Sequence, residues 1–159
     1  MEERKIVTSV LVYGYDELPE SYKMLVDVAK KATENSYAPY SRFNVGAAVL
    51  LANGEVVSGT NQENAAYPSG MCAERVAMFY ANSRYPNVAP KALAIATFAD
   101  GDFLEDPITP CGACRQVLLE SEIRYGEDMD VLLYGKRGVY VLKSVKSLLP
   151  LAFDKDVLK

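Results

Sequence analysis

Few residues of this 159-residue chain combine a reactive type with a meaningful spacing. Cys72 opens the stretch Cys72-Ala73-Glu74-Arg75, and Cys111 and Cys114 belong to Pro110-Cys111-Gly112-Ala113-Cys114; there is no other cysteine and no histidine. Taken alone, a Cys-x-x-Cys pair fits a redox dithiol, half of a zinc site or two packed thiols. The third cysteine separates these readings. If all three thiolates meet one zinc, no further cysteine or histidine can complete the shell, and an open position for water marks a catalytic zinc. An aspartate or glutamate in the fourth place remains as the structural alternative.

Glu74 follows Cys72 by two positions, and side chains two apart on a regular helix point in nearly opposite directions. The two converge only if Cys72 lies at a helix start and Glu74 in the first turn. Pro68 and Gly70 break the chain just before, and a helical apolar pattern of Val76, Ala77, Phe79 and Tyr80 begins just after. Glu74 would then stand beside a metal-activated water as a general base. A glutamate near a helix N-terminus can also do no more than compensate the helix dipole. Three thiolates around Zn²⁺ leave a charge of −1, which weakens its hold on a water proton. Two helix N-termini, with Arg75 and Arg115 as donors to the sulfurs, are the available offsets.

The elements that must position these residues follow from the rest of the chain. Hydrophobic residues make up 50% and charged residues 24%, with a formal net charge of −4, which suits one globular domain with its own core. No basic stripe offers itself to a phosphate backbone, so nucleic acid is not expected as a partner. No signal-like segment opens the chain and no run of 18 uncharged apolar residues occurs, so no membrane partner is expected and a cytoplasmic location is. An odd number of cysteines fits free thiols in a reducing compartment.

Residues 1–19 read as an N-terminal arm or extra strand. After Pro19, Met24, Leu25, Val28, Ala29 and Ala32 recur at helical spacing. Two apolar runs flanking Asn53-Gly54 predict a β-hairpin, the dipeptide supplying positive φ. A helix follows Cys72, a buried strand covers Ala92–Ala99, a helix follows Cys111, and two short strands flank Gly135-Lys136-Arg137-Gly138. Alternating helices and strands argue for an α/β sandwich with a mixed sheet, and both cysteine motifs fall at strand-to-helix junctions.

"CAER" followed by "PCGACRQ" resembles the zinc-dependent cytidine deaminases, whose related signature is a Cys or His ligand, a glutamate two on, and Pro-Cys-x-x-Cys. "YAPYSRFNVGAAV", "NQENAAY" and "LLPLAF" are similar to further segments of that family, in the same order, so the resemblance spans roughly residues 20 to 153. It implies a three-layer α/β/α sandwich with a mixed five-stranded sheet, a catalytic domain over residues 20–159, one Zn²⁺ per subunit and a homotetramer. The implied reaction is hydrolysis of cytidine and 2′-deoxycytidine to the uridines and ammonia, in pyrimidine salvage. By resemblance, Cys72, Cys111 and Cys114 hold zinc, Glu74 shuttles protons, and Arg75 tempers the thiolate charge. Phe43 stacks on the pyrimidine, Asn61 and Glu63 meet the ribose, and Ala73 offers its backbone to the base. Phe153 reaches a neighbouring subunit's site.

On residues alone, Phe43 reads more readily as ordinary core, and Asn61 with Glu63 as turn chemistry. The arm lies outside the resemblance, and Gln62 stands where the family more often has an apolar residue. A deaminase of another cytosine nucleoside, such as an aminoacyl nucleoside, is the nearest alternative. A non-catalytic zinc protein of the same fold is the alternative from another class.

Overall fold

The structure is a computed structural model and describes residues 1–158. Seven strands form one sheet: β1 (Leu11–Tyr13), β2 (Asn44–Leu51), β3 (Val56–Thr60), β4 (Pro90–Ala99), β5 (Asp102–Phe103), β6 (Asp130–Gly135) and β7 (Gly138–Leu142). They lie in the order β1-β7-β6-β4-β2-β3, with β5 folded back on β4. The β4–β6 pair is parallel and the others are antiparallel. β2, β3, β4, β6 and β7 are the five strands expected; β1 at one edge and the two-residue β5 raise the number to seven.

Helix α1 (Glu20–Ala32) covers one face of the sheet, and α2 (Ala73–Arg84) and α3 (Gly112–Tyr125) cover the other. Strand alternation decides how closely each layer approaches. On β2 and β4, Ala48, Ala92, Ala94 and Ala96 face α1, where they meet Leu25, Val26 and Ala29. Gly46 joins them, and a Cβ there would stand 2.1 Å from the Ala29 carbonyl oxygen. Small residues thus let α1 lie nearly on the sheet backbone. The opposite face carries Val49, Leu93, Ile95, Val131 and Leu133, packed with Ala77 and Met78 of α2 and Leu118 of α3.

The sequence misplaces part of this pattern. Phe79 and Tyr80 are exposed and α2 buries Ala73, Ala77, Met78 and Ala81 instead, because β3 comes so close that only small residues fit beneath the first turns. Met24, expected on the buried face of α1, is likewise exposed. In the β2–β3 hairpin, Gly54 N–H donates to the Leu51 carbonyl at 2.9 Å and Gly54 has φ +86°, whereas Asn53 keeps negative φ. The glycine therefore supplies the left-handed residue by itself. Among the described residues, no helix is long and apolar enough to cross a membrane.

The approach of β3 to α2 sets the position of the reactive residues, since Cys72 precedes the first turn of α2 and Glu74 lies within it. A Cβ on Gly59 would lie 2.5 Å from the Ala77 nitrogen and 2.8 Å from the Ala73 carbonyl oxygen, both backbone atoms with little freedom to move. Gly59→Ala should cost about 2 kcal/mol, an overpacking penalty. Urea denaturation checks this, and an unchanged midpoint would show that α2 can shift freely.

Candidate active site

Cys72 and Cys111 occupy equivalent places. Each is the residue before the first turn of its helix, in extended conformation (φ −74°, ψ 150° and φ −65°, ψ 165°), and neither thiol is spent on capping its own helix. Cys114 follows in the first turn of α3 and is fully buried. The Cys72 and Cys111 sulfurs lie 3.8 Å apart and those of Cys111 and Cys114 3.6 Å apart. Four ligands at a Zn–S distance of about 2.3 Å in a tetrahedron stand about 3.8 Å from one another, so the three thiols fit one zinc. They form a compact cluster, all within 4.8 Å.

Glu74 lies in the first turn of α2 with only 4% of its surface exposed. Burial pushes its carboxyl pKa upward, opposed by its own backbone N–H; the Cys72 sulfur adds to the rise, while Cys114 and Arg75 work against it. Cys72 shifts the other way, down to about 5, because the Cys114 thiol donates to it and Arg75 stands beside it, which together outweigh desolvation. The same hydrogen bond, with burial and the nearby Glu74 carboxylate, pushes Cys114 up. Between Cys72 and Cys114, negative charge is therefore favoured on Cys72.

The two arginines have different places. Arg75 Nη2 donates to Cys72 Sγ at 3.7 Å, as its position in the sequence suggests, and its buried Nε has no partner among the described residues. Arg115 is otherwise employed. It donates to the carbonyls of Pro110 (2.8 Å) and Leu148 (2.9 Å) and to Thr109 Oγ1 (2.8 Å). It braces the chain entering Cys111 and tempers no thiolate directly, because its guanidinium is engaged by that loop.

Above the cluster opens a cleft of about 520 Å³ whose lining includes Tyr40, Ser41, Asn61, Glu63, Cys72 and Arg75. The Glu63 carboxylate accepts from the backbone N–H groups of Tyr40 (2.8 Å) and Ser41 (3.3 Å) and from the Ser41 hydroxyl. These donors, the hydroxyl first, hold its pKa below the usual range. Asn61 donates to the Phe43 carbonyl (2.8 Å) and accepts from Val45 N–H (2.8 Å) and the Ser36 hydroxyl (2.5 Å), fastening the start of β2. Gln62 donates its side-chain amide to Thr60 Oγ1 at 2.8 Å. Its backbone exchanges hydrogen bonds with Met71 at 2.8 and 2.9 Å, tying the Glu63 loop to the residue before Cys72.

The structure therefore gathers the three cysteines, Glu74 and Arg75 beneath a wall carrying Asn61 and Glu63. Ala73 is fully buried at the start of α2. Phe43 stands half-buried against the core just after Arg42, a non-glycine residue with φ 57°, and is not among the residues lining the cleft. Phe153 is 59% exposed, its carbonyl held by Gln116 Nε2 at 2.8 Å, and it lies outside the cleft of its own chain. Sequence reasoning missed Ser41, which orients Glu63; its only signal was a hydroxyl two positions before Phe43.

The profile of the cytidine and deoxycytidylate deaminase zinc-binding region matches residues 19–125. The chain belongs to the cytidine deaminase family. Cytidine deaminases of Halalkalibacterium halodurans and Sporosarcina psychrophila are 44% and 42% identical to it, over 84% and 83% of this chain and 95% and 90% of theirs. The crystal structure of cytidine deaminase from Burkholderia pseudomallei is 40% identical, with a TM-score of 0.69 over 86% of this chain and all (100%) of that one. Like other cytidine deaminases, the chain is a zinc-dependent hydrolase, and the three-thiol cluster is the zinc site its residues offer.

The charge distribution can be read by alkylation. In metal-free protein, Cys72 should react with iodoacetamide at pH 6, a pH at which an ordinary thiol with pKa near 8.5 is almost wholly protonated. Removing Arg75 removes a group that lowers the Cys72 pKa, so Arg75→Ala should move half-maximal reactivity to higher pH. Added zinc should protect. Peptide mapping that finds no preference for Cys72 at pH 6 would contradict this assignment.

Proposed function

We propose that the chain hydrolyses cytidine and 2′-deoxycytidine to uridine and 2′-deoxyuridine with release of ammonia, in pyrimidine salvage. The observation that carries this reading is the placement of a nearly dry glutamate next to three thiols spaced for one zinc, of which Cys72 lines an open cleft. Cys72, Cys111 and Cys114 would hold zinc, which would supply the Lewis-acid chemistry that makes water a nucleophile toward C4 of the base.

The protein's own residues manage the protons. Glu74 accepts one proton from the attacking water and delivers it to N3 of the cytosine ring, then takes the second proton of that water from the hydroxyl added at C4 and gives it to the departing amine, which leaves as ammonia. Its burial suits this duty, since a carboxyl whose pKa is raised toward neutrality both takes and returns a proton readily. Ala73 presents backbone to the base, and Phe43 stacks on it once the turn at Arg42 adjusts. Arg75 holds Cys72 and offsets part of the thiolate charge.

Asn61 and Glu63 meet the sugar. Glu63 is kept ionised by its three donors, so it accepts hydrogen bonds from ribose hydroxyls and repels a nucleotide's phosphate. A free nucleoside is therefore the favoured substrate. Gln116 and Arg115 fasten the C-terminal segment to α3 and leave the Phe153 ring exposed, which supports a homotetramer in which this ring closes a neighbour's cleft. Residues 20–159 form the catalytic domain and residues 1–19 an added arm. Three free thiols fit a cytoplasmic setting.

Ultraviolet absorbance on mixing with cytidine tests the proposal. The parent protein should convert cytidine, and Glu74→Gln should retain zinc while losing three to four orders of magnitude in turnover, roughly the worth of general acid–base catalysis. Turnover by Glu74→Gln near the parent's rate would sink the assigned role. Zinc-loaded parent protein that ignores cytidine would point to a different cytosine nucleoside. Glu63→Gln should raise KM by roughly tenfold with kcat little changed, the pattern of lost uniform binding; a fall in kcat alone would remove Glu63 from the sugar site.

A further inference from the structure

Among the described residues two carboxylates are buried, Glu74 and Glu122, and the chemistry of the cleft uses only the first. Glu122 is 2% exposed and lies in the last turns of α3, where the helix dipole disfavours negative charge. Specific bonds hold it there. Its Oε1 accepts from the backbone N–H groups of Met129 and Val145, both at 2.8 Å, and its Oε2 accepts from the Ser144 hydroxyl at 2.9 Å. Met129 precedes β6, whereas Val145 opens a 3₁₀ turn, Val145–Leu148, that packs along α3.

The far end of this turn is held from the same helix. The Leu148 carbonyl accepts from Arg115 Nη1 at 2.9 Å, and Arg115 also donates to the Pro110 carbonyl and to Thr109 Oγ1, both at 2.8 Å. Arg115 and Glu122 stand seven residues apart on α3, about two helical turns, so their side chains leave it on one face. The 3₁₀ turn is thus clamped at both ends. Glu122 takes up its first backbone N–H and Arg115 its last carbonyl, groups that a short helix cannot satisfy by itself.

We propose that Glu122 is a positioning residue for the zinc site: by fixing Val145 it places the Leu148 carbonyl that orients Arg115, and Arg115 fixes Pro110, the residue bonded to Cys111. This rests on the reading of Cys72, Cys111 and Cys114 as the zinc ligands. Cys111 is the ligand most in need of such support. Cys114 is packed within α3 and Cys72 is steadied by Arg75, whereas Cys111 is exposed and stands ahead of its helix. Its sulfur must keep 3.8 and 3.6 Å from the other two if each is to reach one ion at about 2.3 Å. A shift of Pro110 carries that sulfur out of place. A carboxylate that only tied α3 to β6 would act through Met129 and leave the thiol spacing alone.

Zinc affinity, measured by competition with a chromophoric chelator, and the thiolate-to-metal absorption of the Co²⁺-loaded protein test this without recourse to turnover. Glu122→Leu should weaken zinc binding roughly tenfold, the lower end of the range for removing a partner behind a metal ligand, and should alter the cobalt absorption. Glu122→Gln keeps an oxygen for both backbone N–H groups and should match the parent. Val145→Pro removes only the N–H that Glu122 takes from the 3₁₀ turn, at a first position that proline suits. It should weaken zinc binding as Glu122→Leu does, and it carries the test if that variant does not fold. Arg115→Ala should also weaken binding, and adding Glu122→Leu to it should cost little more, because the two act along one path. Parent-like zinc affinity and cobalt absorption in Val145→Pro, or fully additive losses in the double variant, would overturn the proposal. A parent protein without thiolate-to-cobalt absorption would instead remove the three-thiol reading, and this inference with it.

Discussion

Two helix N-termini, brought together until their thiols can share one ion, are the constraint on which this site depends. Cys72 and Cys111 are 39 residues apart in sequence and 3.8 Å apart at sulfur. Their meeting requires that α2 and α3 begin side by side at one end of the sheet. The parallel pairing of β4 with β6 sends the chain back across the α2/α3 face through α3, and Gly59 lets α2 settle against β3 without a Cβ between them. Arg115 then fixes the approach to Cys111 through three hydrogen bonds, two of them to backbone carbonyls. Both helix starts direct positive potential at the sulfurs, which favours thiolates there.

The electrostatics of Glu74 follow from the same convergence. Its place in the first turn of α2 puts it beside the Cys72 sulfur, which tends to ionise, in a position with 4% exposure. The loss of water and the neighbouring sulfur both disfavour its charge, and Arg75 and the Cys114 thiol counter them. Cys72, Cys114, Glu74 and Arg75 therefore titrate as one linked set rather than as separate groups. A divalent ion in the thiol cluster changes the sign of the nearest charge and with it the balance felt by Glu74. Proton affinity in this site is a property of the cluster rather than of any one of its groups.

The chemistry was more legible in the sequence than the packing. Cysteine and glutamate spacing, read with the breakers before Cys72, placed the ligands at helix starts because hydrogen-bond geometry at an N-terminus is local. The order of helices and strands was legible for the same reason. Side-chain exposure on α2 was not: Phe79 and Tyr80 carry the apolar period, yet the surface α2 meets is set by a distant glycine on β3, and only alanines and Met78 fit it. The place of Arg115 was not legible because its partners, Thr109 Oγ1 and the Leu148 carbonyl, include one 33 residues away in sequence. Ser41 escaped notice because a hydroxyl in a turn carries no mark of which carboxylate it will meet.

The two edges of the sheet answer to different physical demands. At the β3 edge, backbone-to-backbone approach at Gly59, the bridge between Gln62 and Met71, and the three donors on Glu63 leave little room for substitution, since each of them transmits position directly to the cleft. At the β7 edge nothing reaches the cleft. An added strand there needs only to satisfy its inner hydrogen bonds and fasten its ends, which Thr8 accomplishes through the Ser147 carbonyl and Tyr15 through Asp27, the Tyr134 ring and the Lys30 ammonium.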